Sequence, residues 1–165
     1  MANRILLVYF SRTGRTRKIA MDIASALGCD VEELRDRVGR GGPLGYARSS
    51  LEALARLDTL LAPTLHDPAD YDLVVVGTPI WFWNISSPVR TWARRHRESL
   101  RKVAFFCTCG SSGGPRALAE LEAICGETVA SLVLTDREID SGAHSARVAA
   151  FVGHLSPRAR RTRGG

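Results

Sequence analysis

The chain has 165 residues, long enough for a buried hydrophobic core and short enough for one domain. Hydrophobic residues make up 45% and charged residues 24%, which is typical of a globular protein and excludes a disordered or fibrous chain. The formal net charge is +6, but four of the positive charges are arginines within residues 157–165, so a basic tail explains the charge better than a nucleic-acid-binding surface.

The sequence shows neither a membrane span nor an export signal. No apolar run approaches the ~18 residues that a span requires. The apolar N-terminal run stops at Ser11 and Arg12 without a cleavage-site pattern, which favours a strand over a signal peptide. The cysteines fit free thiols better than a disulfide framework: Cys29, Cys107, Cys109 and Cys125. We therefore expect a cytoplasmic protein with no membrane span and no nucleic-acid partner.

The chain opens with the pattern strand, helix, strand. Arg4–Phe10 is a continuous apolar run, as in a strand that is buried on both faces. Gly14–Leu27 has apolar residues at helical spacing, and Gly28 is placed to end that helix. Cys29–Leu34 predicts the second strand.

A glycine-rich loop over Arg37–Gly45 precedes the middle of the chain. The spacing of four apolar residues predicts a helix after it: Leu44, Ala47, Leu51 and Leu54. Asp72–Gly77 contains four consecutive large apolar residues and is the clearest strand. The sequence leaves open whether residues 39–50 cover a ligand or a partner site.

The second half continues the alternation of helices and strands. Predicted helices cover Pro88–Leu100 and the residues from Pro115 to a stop at Gly126, and predicted strands cover Lys102–Thr108 and Thr128–Leu134. A loop of charged and small residues then leads to a last helix that carries Val148, Phe151, Val152 and Leu155.

Five strands that alternate with about five helices predict an α/β fold with a doubly wound, five-stranded parallel sheet. We expect this domain to cover residues 1–156, followed by the basic tail over residues 157–165. Ligands of such sheets bind outside the carboxyl ends of the strands. Three loops therefore carry the functional prediction.

The first loop, residues 11–16, reads Ser-Arg-Thr-Gly-Arg-Thr between a buried strand and a helix. Hydroxyl groups and free N–H groups at a helix start favour a phosphate. A simple Ser/Thr cap with a glycine turn is the alternative. The loop lacks the Gly-Lys-Ser/Thr ending of nucleoside-triphosphate sites and the G-x-G-x-x-G pattern of dinucleotide sites.

The second loop, residues 77–84, carries three consecutive aromatic residues: Trp81, Phe82 and Trp83. They cannot all point into the core, so at least one ring is expected at the crevice, where a planar ligand would stack. The third loop, residues 107–114, is rich in glycine and lets the backbone approach a flat ring. A metal site at Cys107 and Cys109 is disfavoured because the chain has no second cysteine pair.

Two related architectures fail on their required residues. A low-molecular-weight tyrosine phosphatase needs Cys-x5-Arg, but Gly113 and Pro115 stand at the arginine position counted from Cys107 and Cys109. A receiver domain needs an acidic residue at the end of a central strand, and the strand ends at Thr78 and Cys109 supply none.

Together the three loops resemble those of the flavodoxin-like family over nearly the whole chain. Residues 9–16 look like its Ser/Thr-x-Thr-Gly-x-Thr phosphate loop. Residues 77–81, with Asn84 and residues 86–90, look like its second flavin loop, especially that of FMN-dependent quinone and NAD(P)H reductases. Residues 108–114 look like its third loop. The resemblance implies a sheet order of 2-1-3-4-5 and one bound FMN.

The resemblance also implies which residues bind FMN. It places Ser11, Thr13, Gly14 and Thr16 at the phosphate, with Arg12 and Arg15 as backbone donors; Thr78, Pro79, Ile80, Trp81, Phe82 and Asn84 along the isoalloxazine ring; and Thr108, Cys109, Gly110 and Gly113 at its other edge. No catalytic side chain and no metal ligand are assigned, because the flavin carries the redox chemistry.

Two functions follow, an FMN oxidoreductase that passes electrons from NAD(P)H to a quinone and a one-electron carrier that docks to a partner protein. Family carriers are usually acidic and often have a tyrosine in the third loop, whereas this chain is basic and its third loop has no aromatic residue. A helix stripe of Arg90, Arg94, Arg97 and Arg101 is either a solvated face or a docking site for an acidic partner or a nucleotide phosphate. A fold that has lost its flavin is the third alternative.

Overall fold

A computed structural model of the protein describes residues 3–37, Leu44 and residues 58–156. The predicted basic tail over residues 157–165 lies outside the described residues, as does the predicted loop over residues 39–50 apart from Leu44. The helix predicted from Leu44, Ala47, Leu51 and Leu54 also lies outside them, except that Leu44 itself is helical and exposed. No helix in the described part of the chain is long and apolar enough to cross a membrane.

The described residues form alternating strands and helices. The strands are β1 (Ile5–Tyr9), β2 (Asp30–Glu33), β3 (Leu73–Trp81), β4 (Asn84–Ile85), β5 (Val103–Cys109) and β6 (Thr128–Thr135). The α-helices are α1 (Arg15–Leu27), α2 (Ser87–His96), α3 (Gly114–Cys125), α4 (Asp136–Ser141) and α5 (Ser145–Leu155). Short 3-10 helices cover Pro68–Asp70 and Arg97–Ser99.

The long strands form one parallel sheet in the order β2-β1-β3-β5-β6. Counted along the chain without the two-residue β4, this order is 2-1-3-4-5, which confirms the predicted doubly wound α/β fold. The pairing of Tyr9 with Gly77 and of Thr78 with Cys107 brings the carboxyl ends of β1, β3 and β5 to one edge.

Helices cover both faces of the sheet, and this explains the continuous apolar runs of the central strands. Along β1, Leu7 and its neighbours at odd positions join a core beneath α1 and α5, whereas Leu6 and Val8 join a second core beneath α2 and α3. Leu6, Leu7 and Val8 are completely buried. Burial of side chains of this size stabilises the fold by roughly 1.5–3 kcal/mol each.

Gly77 permits close contact between the two central strands. A Cβ atom at this position would lie 2.0 Å from the ring of Phe106 in the neighbouring β5. Phe106 is completely buried in the core beneath α1 and α5. The glycine therefore makes room for a large aromatic side chain at the middle of the sheet, close to the edge where the loops begin.

Strand β3 is longer than the strand predicted over Asp72–Gly77. Its last residues pair with β4 in a two-residue hairpin, and Pro79 also lies beside Thr108 of β5. The prediction of a loop directly after Gly77 is therefore wrong. Proline has no N–H group and favours strand edges or turns, so the sequence gives no signal that β3 continues through Pro79.

Two helical predictions need correction. The helix predicted over Pro88–Leu100 ends at His96 and continues as a 3-10 turn. The predicted loop after Leu134 contains the short helix α4. Its start is a capping box, in which Thr135 accepts a hydrogen bond from the Glu138 N–H group and the Glu138 carboxylate accepts one from the Thr135 N–H group. The Thr-x-x-Glu pattern was a signal for this helix.

The arginine stripe predicted on one helix face is not a continuous surface. Arg90 is completely buried, and its Nε donates to Glu120 Oε1 at 2.7 Å while its Nη2 donates to the Ile85 carbonyl at 3.1 Å. Glu120 Oε2 also accepts from the Ile85 N–H group at 3.2 Å. The pair therefore ties α2 and α3 to the β3–β4 hairpin.

The buried Arg90–Glu120 pair predicts a large loss of stability when one partner is removed. Glu120→Ala leaves the Arg90 charge buried without its carboxylate and is expected to lower the free energy of unfolding by about 3–5 kcal/mol. Urea denaturation measures this. Glu122→Ala removes an exposed carboxylate from the same helix and is expected to cost under about 0.5 kcal/mol. Equal losses in both variants would contradict the interpretation.

The α4 cap predicts an acid-dependent contribution to stability. Hydrogen bonds from Thr135 and Arg147 lower the pKa of Glu138 from 4.5 to about 2. Because the folded-state pKa is the lower one, this stabilisation is complete above about pH 4.5 and is lost as the pH falls towards about 2.

Glu138→Gln keeps an acceptor but loses the charge, so it tests this pH dependence. Urea midpoints of the wild type and the variant are expected to differ most near neutral pH and to converge as the pH falls towards about 2. Glu127→Gln, at an exposed carboxylate between α3 and β6, is the control. A difference between wild type and Glu138→Gln that does not change with pH would rule out the carboxylate as its source.

Candidate functional site

The three predicted loops meet at the carboxyl edge of the sheet and enclose a cavity of about 240 Å³. Its lining comprises Arg12, Thr13, Arg15, Thr16, Pro79, Ile80, Trp81, Thr108, Cys109, Gly110 and Asp136. A smaller cavity of about 150 Å³ lies at the opposite end of the sheet, beside Leu73 and Lys102. The larger cavity lies where doubly wound sheets bind their ligands.

The first loop leaves two backbone N–H groups without an acceptor among the described residues, at a helix start beside this cavity. Gly14 has a left-handed backbone, with φ 95°, directly before α1. Ser11 Oγ accepts hydrogen bonds from the N–H groups of Gly14 and Arg17, both at 3.2 Å. Within the described chain, the N–H groups of Arg15 and Thr16 meet no acceptor. The helix start therefore offers unused donors where its dipole favours an anion.

The side chain of Arg15 is directed at α4. Its Nε and Nη2 donate to the two oxygens of Asp140 at 3.0 and 2.8 Å, and its Nη1 lies 3.6 Å from Asp136. These hydrogen bonds raise the pKa of Arg15 and lower the pKa of Asp140. The guanidinium is thus occupied by carboxylates, and the backbone N–H group remains for a ligand.

A hydrogen bond between two buried hydroxyl groups joins the first loop to the third. Thr16 Oγ1 and Thr108 Oγ1 are 2.8 Å apart, and both residues line the cavity. Thr16 is the second residue of α1, and Thr108 lies near the end of β5. The contact fixes the distance between the helix start and the neighbouring strand end.

The surroundings of the cysteine at the cavity wall favour its protonated thiol. Burial raises the pKa of Cys109, and the nearby carboxylates of Asp136 and Glu138 raise it further. The thiol therefore stays protonated at neutral pH. All four cysteines are free, and the described residues contain no cluster of three or more metal-ligating side chains.

The second loop supplies the apolar wall of the cavity. Pro79, Ile80 and Trp81 line it, and the Trp81 ring meets Phe10 edge-to-face with centroids 5.6 Å apart. One aromatic side chain of this loop is therefore at the crevice, as predicted. Phe82 lies at the hairpin tip and is 47% exposed.

The side chains of two predicted ring-binding residues make hydrogen bonds within the hairpin. Thr78 is completely buried, and its Oγ1 accepts from the Ser86 N–H group at 3.1 Å. The side chain of Asn84 is also buried, and its Nδ2 donates to the Phe82 carbonyl at 2.8 Å. Asn84 Oδ1 has no partner among the described residues. Both side chains determine the shape of the loop behind the cavity wall.

The structure brings most of the sixteen predicted residues to the cavity. Outside the lining are Ser11 and Gly14, which shape the first loop, Thr78, Phe82 and Asn84 in the hairpin, and Gly113 at the start of α3. Asp136 lines the cavity but is not among the predicted residues, because the segment that carries it was predicted as a loop of charged and small residues and no role was assigned to it.

The tip of the hairpin contacts the third loop. Trp83 Nε1 donates to Ser112 Oγ at 3.2 Å. Gly113 has φ +98°, and a Cβ atom there would lie 3.0 Å from the Cα and Cδ1 atoms of Trp83 and 3.1 Å from Ile80. The glycine therefore allows both a left-handed turn and a close approach of the two loops.

Comparison with known proteins agrees with this geometry. The model of the family described as Flavodoxin matches residues 4–138. A flavoprotein from Lactobacillus acidophilus, solved in complex with FMN, has a TM-score of 0.70 and 23% identity, with 85% of this chain and 98% of that chain covered.

Two further solved structures, described as flavoproteins, are similar to this chain. The protein from Bacteroides eggerthii has a TM-score of 0.73 and 22% identity, covering 91% of this chain and 98% of its own. The protein from Bacteroides uniformis has a TM-score of 0.70 and 24% identity. The match covers 87% of this chain and 99% of that one. At these identities the structures establish the fold, and the family match covers most of the sequence. The chain belongs to the flavodoxin family.

Proposed function

We propose that this protein binds FMN in the cavity at the carboxyl edge of the sheet and uses it to transfer electrons. The observation that carries this proposal is that a helix start with unused N–H donors and an apolar wall line one cavity in the described part of the chain. FMN combines a phosphate with a planar ring, so it needs both features. The similar Lactobacillus acidophilus flavoprotein was solved in complex with FMN.

The first loop fits a phosphate group. The N–H groups of Arg15 and Thr16 have no acceptor in the described chain, and the hydroxyls of Thr13 and Thr16 lie at the same cavity. Hydrogen bonds from such groups to a charged oxygen are stronger than bonds between neutral groups. These residues would hold the phosphate at the helix start.

The second and third loops fit the two edges of a planar ring. Pro79, Ile80 and Trp81 would contact it on one side, and Thr108 and Gly110 would lie on the other. When bound, FMN supplies hydride and single-electron chemistry. The protein's own part is to orient the ring, shield it from water along the apolar wall and direct N–H groups at its edge.

We further propose that the physiological reaction is the NAD(P)H-dependent reduction of a small planar acceptor such as a quinone. Support comes from the third loop, which brings Gly110 to the cavity instead of an aromatic side chain. A Cβ atom at Gly110 would have no neighbour within 4 Å, so this side of the cavity is open. A second planar molecule has space to approach there.

The alternative function is a one-electron carrier that docks to a partner protein. The basic stripe that favoured it is largely neutralised. Arg90 is buried against Glu120, and the remaining members pair with carboxylates: Arg94 with Asp58, Arg97 with Glu98 and Arg101 with Asp72. Local neutralisation weakens the attraction of an acidic partner and of a nucleotide phosphate alike, so the stripe favours neither function. The open side of the cavity at Gly110 makes the reductase the better-supported proposal.

The first test is FMN binding by a protein without its loop hydroxyls. Thr13→Ala/Thr16→Ala is expected to raise the FMN dissociation constant at least about 10-fold, because hydrogen bonds to a charged group contribute roughly 1–3 kcal/mol each. Quenching of FMN fluorescence measures the affinity. Thr13→Ser/Thr16→Ser keeps both hydroxyls and serves as the control. Equal affinities for the two double variants would place the phosphate elsewhere.

A second test separates the reductase from the carrier. Gly110→Tyr places an aromatic ring in the open space beside the third loop, where the backbone tolerates a side chain. With FMN added to saturation, as checked by fluorescence quenching, the variant is expected to lose at least about 10-fold in kcat/KM for quinone reduction by NAD(P)H. Absence of turnover by the wild type across several donors and quinones would favour the carrier. Unchanged turnover in the variant would reject access through this side.

A further inference from the structure

The turn between β3 and β4 carries aromatic residues where the backbone favours glycine. Phe82 and Trp83 are its two central residues, with φ 47° and φ 61°. Two-residue hairpin turns with both central residues left-handed usually contain Asn-Gly or Gly-Gly. Side chains with a Cβ atom are strained in this conformation. The strain at Trp83 therefore calls for a compensating contact.

Trp83 makes such a contact with the third loop. Its indole Nε1 donates to Ser112 Oγ at 3.2 Å, although the residue is 54% exposed. Its Cα and Cδ1 atoms lie against Gly113, close enough that an added Cβ atom would meet them at 3.0 Å. Ile80, which lines the cavity, meets the same glycine from the same hairpin.

We propose that Trp83 is a positioning residue that fixes the second loop against the third and so sets the separation of the two walls of the cavity. This inference rests on the proposed function, in which those walls hold the flavin ring. The contact is made by protein atoms alone, so it would hold the two walls in place before binding. Preorganisation raises affinity by lowering the entropy lost when a ligand binds.

Substitutions at Trp83 separate two effects on stability. Relief of the backbone strain stabilises the protein, whereas loss of the indole contact with the third loop destabilises it. Trp83→Gly and Trp83→Ala both remove the indole, but alanine keeps a Cβ atom in the left-handed conformation. The glycine variant of the apo-protein is therefore expected to melt about 2–4 °C above the alanine variant, the reverse of the usual order. Both variants are expected to bind FMN at least about 5-fold more weakly than the wild type.

Two further variants isolate the hydrogen bond. Trp83→Phe keeps a ring and the strained backbone but has no N–H donor, and Ser112→Ala removes only the acceptor. Each is expected to weaken FMN binding about 2- to 5-fold. The double variant is expected to be no weaker than the worse single variant, because both changes remove one interaction. A purely structural role would instead make affinity follow the order of melting temperatures.

Hydrogen exchange of the apo-protein gives a readout that does not need FMN. Amides of residues 110–114 are expected to exchange faster in Trp83→Gly and Trp83→Ala than in the wild type. Unchanged exchange together with wild-type FMN affinity would overturn the positioning role. Failure of the wild type to bind FMN would overturn the proposed function instead. In that case hydrogen exchange alone would test the positioning role of Trp83. Faster exchange of residues 110–114 in the Trp83 variants would support a fixed contact between the two loops, and unchanged exchange would reject it.

Discussion

Parallel pairing on both sides of β3 is the constraint on which the site depends. Because β1 and β5 both run alongside β3 in register, their carboxyl ends reach the same edge, and the three loops that follow must meet there. The close packing of Phe106 over Gly77 lies level with Tyr9, the last residue of β1. A larger residue in place of Gly77 would push β5 away from β3 and move the third loop away from the second.

Side-chain hydrogen bonds set the shape of the loops beyond the sheet. The Thr16–Thr108 contact joins the first and third loops, and Thr78 accepts from the backbone of Ser86 within the second. The Glu120 carboxylate connects the hairpin to Arg90. These are polar groups in buried surroundings, where a lost partner costs more than the bond contributes. These hydrogen bonds therefore restrain the loops that surround the cavity.

The sequence predicted the fold well because its signals are local. The alternation of apolar runs with helical spacing needs no knowledge of contacts, and the first loop is recognisable from Ser11 to Thr16. Contacts between residues far apart in the sequence cannot be predicted from such local signals. Arg90 follows the spacing of an exposed stripe, yet Glu120, thirty positions along the chain, draws it into the core. Asp136 reaches the cavity through α4, whose capping pattern was in the sequence but was read as a loop.

The ion pairs of the Arg15 side chain affect how strongly anion binding at this site depends on salt concentration. Asp140 and Asp136 neutralise the charge of Arg15 at the entrance to the cavity. In the proposed site, an anion at the helix start would then be held mainly by N–H and hydroxyl groups at short range. Dissolved salt weakens attraction between exposed charges over about 8 Å at physiological ionic strength, but it has little effect on buried hydrogen bonds. Retention of an anionic cofactor should accordingly vary little between dilute and concentrated salt.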